Sequence, residues 1–267
     1  MSADNQTGSG PAQSPSIDER HGLKVGKGDA PAVTVHVRGV RFAWPGANAF
    51  SLAIDDFSVR KGERILLLGP SGSGKSTLLS LLAGIAAPAQ GAIEILGTDI
   101  ARLSSARRDR FRAEHCGIIF QMFNLLPYGS VADNVLLPLS FASARRERAG
   151  TTRTALEAEV ARLLARLGLE GSDVGRRRAA SLSVGQQQRV AAARALIGRP
   201  ELIIADEPTS ALDRNRQEAF LDLLFGELDA AGSSLVMVSH EERFTGRFDR
   251  IVSLSDVART AAERTTA

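Results

Sequence analysis

The chain has 267 residues, 43% hydrophobic and 24% charged, with a formal net charge of only +3. This balance describes one folded α/β unit and is too weakly basic to argue for a nucleic-acid partner. No apolar run reaches the roughly 18 residues a membrane span needs, the N-terminal stretch lacks a signal-peptide pattern, and the lone Cys116 excludes an internal disulfide, so the chain is expected to be neither spanning nor exported.

In chain order, residues 1–31 are rich in Gly, Ser, Pro, Asp and Asn and are expected to form a disordered tail. A folded domain is expected over 32–256. Short β-type runs follow at 33–37, 40–44, 52–59, 65–69 and 92–96, an antiparallel-looking portion. Arg107, Arg108, Arg110 and Arg112, and later Arg176 to Arg178, read as solvated faces. Within a helical region expected over about 122–190, Leu156, Val160, Leu163, Leu164 and Leu167 recur at helical spacing and Gly168 marks a stop. Apolar runs at 117–120, 202–206, 235–239 and 250–254 alternate with helical segments, as the strands of a buried parallel sheet do. Residues 257–267 read as a small, polar C-terminal tail.

The segment Gly69-Pro70-Ser71-Gly72-Ser73-Gly74-Lys75-Ser76-Thr77 fits the P-loop pattern. An apolar strand run precedes it and a helical run follows, so backbone N–H groups and a helix N-terminus converge where a phosphate would lie. Lys75 is then placed to reach β- and γ-phosphates, Ser76 to enter a Mg²⁺ shell, and Thr77 to make a second phosphate contact. A second apolar strand ends in adjacent carboxylates, Asp206 and Glu207. Neighbouring strand positions face opposite ways, which assigns Asp206 to the metal and leaves Glu207 to orient or deprotonate water. Between them, Ser183 and Gln186 have capping-box spacing, and Gly185 follows on the opening turn of the helix. That N-terminus has no required partner within the same P-loop and is suited to phosphate of another molecule.

The P-loop, Ser183-Val-Gly-Gln-Gln, Ala205-Asp-Glu-Pro208, Ser210-Ala-Leu-Asp213 and Val238-Ser-His240, in that order, resemble the ABC ATPases over about residues 33–256. The resemblance implies a P-loop NTPase: an α/β fold with a RecA-like core, an antiparallel β subdomain and a helical signature subdomain. It implies ATP hydrolysis with Mg²⁺, in a dimer whose ATP lies between one P-loop and the opposite signature, so that Ser183, Gly185 and Gln186 bind nucleotide. It further implies that Gln121 contacts Mg²⁺ or water, that His240 steadies the γ-phosphate and Glu207, that Asp213 communicates across the dimer, and that Trp44 stacks on adenine, a role favoured over core packing. Val184 stands where the family usually has Gly; a β-branched residue resists positive φ, and slower hydrolysis or an altered interface is the expectation. His21, His36, His115 and Cys116 match nothing in the pattern.

The stretches 120–127 and 133–138 resemble the lipoprotein-release and macrolide-efflux group. This implies a separately encoded transmembrane permease with a large extracytoplasmic domain, docked near Gln121–Tyr128 where Met122, Phe123, Leu125 and Leu126 cluster. The cassette would then be cytoplasmic, held on the inner face of the plasma membrane by the permease, driving export or extraction of lipoprotein, peptide or drug. A cell-division cassette acting on a permease-like partner is the alternative. Chromosome-type members carry a long coiled coil between P-loop and signature, and no sustained heptads occur here.

Overall fold

Residues 32–46, 50–171 and 173–262 are described by a computed structural model. The expected N-terminal tail, 1–31, lies outside the described residues. In order the chain forms β1 (Val33–Ala43), β2 (Phe50–Arg60), β3 (Arg64–Leu68), α1 (Lys75–Leu82), β4 (Gln90–Ile95), β5 (Thr98–Asp99), α2 (Ser105–His115) and β6 (Cys116–Ile119). The helices α3 (Val131–Leu136), α4 (Ser143–Ala149), α5 (Arg153–Arg166) and α6 (Val184–Leu196) follow. The chain closes with β7 (Leu202–Asp206), α7 (Arg214–Ala231), β8 (Ser234–Val238), β9 (Arg250–Ser253), α8 (Leu254–Val257) and β10 (Ala258–Ala262).

Among the described residues two five-stranded sheets form, an antiparallel one ordered β10-β2-β1-β4-β5 and a parallel one ordered β6-β7-β8-β3-β9. The runs expected as two strands at 33–37 and 40–44 are one strand. The apolar phase changes at Gly39 (φ +58), from Val35 and Val37 to Val40 and Phe42, and β1 slips one position against β4 between Arg38 and Arg41. A bulge of this kind resets which positions face the core. In β2 the phase changes opposite, from Leu52 and Ile54 to Phe57 and Val59, so the β1–β2 pairing continues across the step.

The parallel sheet is a wall shared by two cores. Alternate residues of each strand enter different clusters: Ile65, Leu67, Leu202, Ile204, Val236 and Val238 pack toward the antiparallel sheet and α1, while Leu66, Ile203, Ala205, Leu235 and Met237 pack against the helices. Both faces of β3, β7 and β8 are buried, which explains the unbroken apolar runs in the sequence, while the edge strand β9 leaves Ile251 exposed. On the helical side, α5 buries Leu156, Val160, Leu163 and Leu164, the stripe its spacing predicts, and ends at Gly168 in a left-handed turn. Helix α6 packs on β6, where a Cβ on Gly117 would lie 2.2 Å from the Ala195 carbonyl oxygen.

Arg145 of α4 is fully buried and donates to the carbonyls of Ala113 (3.1 Å), Cys116 (3.1 Å), Ala195 (3.0 Å) and Ile197 (3.0 Å to Nε). Burial pulls its guanidinium down to about 10. It closes the ends of α2 and α6 onto the first strand of the helical side. Not every arginine near it is merely solvated: Arg108 donates to Gly84 O (2.9 Å) and Leu103 O (3.2 Å), and Arg112 to Gly84 O (3.4 Å). The C-terminal stretch from 257 also differs from expectation, because Ala258–Ala262 pairs antiparallel with β2. Small side chains hid this edge strand from a reading based on apolar alternation.

Candidate functional site

The Gly-rich loop joins β3 to α1. Gly72 (φ +77) and Gly74 (φ +102) adopt conformations that side chains resist, and a Cβ on Gly74 would stand 2.7 Å from the Phe50 ring. The loop therefore wraps tightly at the N-terminus of α1. Lys75 Nζ donates to the carbonyls of Gly69 (2.7 Å) and Pro70 (2.9 Å). Burial lowers its ammonium from the ordinary lysine range, while Glu207 and Asp206 pull it back up. Ser73 Oγ is buried with no hydrogen-bond partner among the described residues, a hydroxyl suited to a ligand oxygen.

The carboxylates separate as strand alternation requires. Asp206 ends β7 on the face of Leu202 and Ile204, toward α1; burial raises its carboxyl above the ordinary aspartate range, and a hydrogen bond with Ser76 is the largest opposing effect. Glu207 leaves the strand at φ +45, a conformation that costs about 1–3 kcal/mol and persists where surroundings over-determine it. Its N–H donates to Val238 O (3.1 Å), His240 Nε2 pairs with Oε1, and Gln121 Nε2 donates to Oε2 (3.4 Å). Three strand ends, those of β6, β7 and β8, thus deliver Gln121, Glu207 and His240 to one point.

Trp44 is 40% exposed beside the loop, held edge-on by Phe42 (5.0 Å between centroids) and donating from Nε1 to Thr77 Oγ1 (3.1 Å). The Thr77 hydroxyl thus orients the indole, a role the sequence reading, which gave it to phosphate, did not foresee. Trp44, Phe50, Ser71, Gly72, Gly74, Lys75, Ser76, Thr77, Glu207 and His240 line a cleft of about 370 Å³. Phe50 was missed, since an apolar residue at a strand start reads as core. A groove of about 1130 Å³ borders α3 and α5, but none of these groups reaches it.

The signature residues do not line that cleft. Ser183 caps α6 through a capping box, its Oγ accepting from Gln186 N (3.4 Å) and its N–H donating to Gln186 Oε1 (3.1 Å). Val184 is the first helical residue, has no positive φ and is 50% exposed. The strain expected of a β-branched residue there is absent, because the position is helical. The expected docking cluster divides: Met122 and Tyr128 are exposed (81% and 76%), whereas Phe123 is buried and Leu125 packs on the helical core. Phe141, 68% exposed, is a further large apolar side chain in the open.

Other residues hold the site from behind. Gln217 donates to Thr209 O (2.9 Å) and accepts from Arg243, which also donates to Glu218 (2.8 Å) and Glu241 (3.1 Å), while Glu241 N donates to Ser239 Oγ (3.0 Å). This links the segment after Glu207 to the His240 turn. Asp213 caps α7 by accepting from Arg216 N (3.0 Å). His36 and His115 pair with Asp56 (2.9 Å) and Glu201 (3.1 Å), structural contacts away from the cleft. Burial pushes the Cys116 thiol up to about 12, which leaves it inert.

The family model described as "ABC transporter" matches residues 52–210. The chain belongs to the ABC transporter family. It is an ATP-binding and ATP-hydrolysing cassette of that family. It is 43% identical over 206 residues to the lipoprotein-releasing system ATP-binding protein LolD of Novosphingobium aromaticivorans, covering 75% of this chain and 86% of the relative. It is 38% identical over 229 residues to the macrolide export ATP-binding/permease protein MacB of Rhodopseudomonas palustris, covering 84% of this chain but only 33% of that relative. The chain therefore spans about a third of the macrolide-export relative. Among solved structures, the dimeric ABC transporter cassette MJ0796 superposes with a TM-score of 0.75 at 31% identity, over 86% of this chain and 99% of that one. The same protein has been solved in a dimeric post-hydrolysis state bound to ADP and Pi. Among the described residues, no helix is long and apolar enough to cross a membrane.

Proposed function

We propose that this cassette pairs with a second one, each P-loop facing the other's Ser183 helix, and drives a separately encoded permease that exports or extracts lipoprotein, peptide or drug. The observation that carries the reading is the placement of groups: Lys75, the Ser76–Asp206 pair and the Glu207–His240–Gln121 contact converge on one cleft, while the capped N-terminus of α6 stands outside it. A half-site of this kind is completed by a second chain.

In the proposed arrangement the loop amides, Ser71, Ser73 and Lys75 hold the phosphates, and Trp44 stacks on the base with Phe50 beside it. Ser76 and Asp206 would hold Mg²⁺, with Gln121 near it. Both donors are oxygens, as this cation requires. Among the described residues no group of three acidic, His or Cys side chains could hold a metal alone, which fits an ion whose shell is completed by phosphate and water. Bound there, Mg²⁺ supplies neutralisation of developing phosphate charge. Glu207 accepts a proton from the attacking water, and His240 and Gln121 fix the two carboxylate oxygens. Ser183, Gly185 and Gln186 of the second cassette contact the γ-phosphate, and Asp213 lies near that contact. Met122, Tyr128 and Phe141 offer the permease an exposed apolar surface, which keeps the cassette on the inner face of the plasma membrane.

The test is turnover and oligomeric state of Glu207→Gln beside wild type. Removing a general base costs about 10²–10⁴ in rate, so the variant is expected to bind ATP, lose turnover and accumulate as an ATP-bound dimer by light scattering. A variant that turns over at the wild-type rate, or stays monomeric with ATP, overturns the reading.

A further inference from the structure

We propose that Arg194, assisted by Asn134, is a positioning residue for ATP hydrolysis: it clamps the loop after Gln121 so that the Gln121 amide meets Glu207. The inference rests on the site assignment above and concerns residues that do not line the cleft. The loop needs a clamp. Phe123 (φ +57) and Asn124 (φ +49) are consecutive non-glycine residues in the left-handed region, a conformation that L side chains hold only where neighbours impose it. Gln121, two residues earlier, is exposed and meets Glu207 at 3.4 Å.

The side chains that impose the loop come from two helices. From α6, Arg194 donates to both left-handed residues, to Asn124 O at 2.7 Å and to Phe123 O. It is buried, and among the described residues no carboxylate pairs with it, so its charge is spent on these two carbonyls. From α3, the fully buried Asn134 accepts from Leu126 N (2.7 Å) and donates to Leu126 O (3.1 Å) and Ser130 O (3.0 Å). A planar guanidinium suits the first role because its fixed fork spans two adjacent carbonyls, which a lysine ammonium cannot do with the same geometry. Ser183 opens the same helix that carries Arg194. One rigid element therefore links the surface offered to a second cassette with the loop that sets Gln121.

The experiment uses the full chain with MgATP and measures turnover, binding of a fluorescent ATP analogue, and thermal melting for Arg194→Met, Arg194→Lys, Gln121→Ala and the Arg194→Met/Gln121→Ala double variant. Arg194→Met is expected to lower kcat about tenfold with nucleotide affinity within about twofold of wild type, Arg194→Lys to recover part of the loss, and the double variant to be no slower than Gln121→Ala alone. Wild-type kcat in folded Arg194→Met, or a double variant slower by the full Arg194→Met factor, overturns the proposal. Should Arg194→Met lack a cooperative melt, Arg194→Lys decides: reduced kcat with unchanged nucleotide binding supports the clamp, and wild-type kcat refutes it. If Glu207→Gln is inactive while Gln121→Ala turns over normally, the Gln121 assignment fails, and a slow Arg194→Met then shows that the arginine acts elsewhere.

Discussion

The two sheets divide the labour. The antiparallel sheet is solvated on one face, where His36, Arg38 and Arg41 pair with Asp56, Glu94 and Asp55, and it contributes Trp44 and Phe50 to the cleft. The parallel sheet is buried on both faces along its central strands and brings Gln121, Asp206, Glu207 and His240 to the ends of adjacent strands. In the proposed arrangement chemistry sits on the more deeply buried sheet, and base contact on the one with a solvated face. A carboxylate that must hold its geometry gains from fixed neighbours, whereas a stacking ring needs only a flat apolar face.

Substitutions can break this comparison. The largest effect is expected for Glu207→Gln, with the loss of turnover given above and melting unchanged, since it keeps the shape of the side chain. Next, Ile203→Ala in the doubly buried β7 should cost about 3 kcal/mol and lower the melting temperature by about 10 °C, read by calorimetry; a loss under about 1 kcal/mol would mean the shared wall repacks easily. Trp44→Ala should raise the KM for ATP about tenfold with kcat unchanged, because stacking binds ground and transition states alike. A matching fall in kcat would show that the antiparallel sheet also contributes to chemistry. Arg38→Ala, at an exposed position on the wet face paired with half-buried Glu94, should change stability by less than about 0.5 kcal/mol, measured by urea unfolding.

What the sequence by itself determined was local chemistry and periodicity. The Gly-rich loop, the Asp206–Glu207 pair, the Ser183–Gln186 box and the Leu156–Leu164 stripe are each written in a few adjacent residues, because turn, cap and helix physics act over one or two turns of chain. The β7 run from Leu202 to Asp206 was legible at both ends. Tertiary structure alone decided which distant pieces meet. It turned Thr77 toward Trp44, brought Ala258–Ala262 onto β2, and buried Phe123 while leaving Met122 open. It also placed Arg145 and Arg194 under backbone carbonyls of other segments. An arginine in a helix reads as a solvated charge until the carbonyls left unpaired by neighbouring turns and strand ends come within reach, and those are supplied by chain far away in sequence.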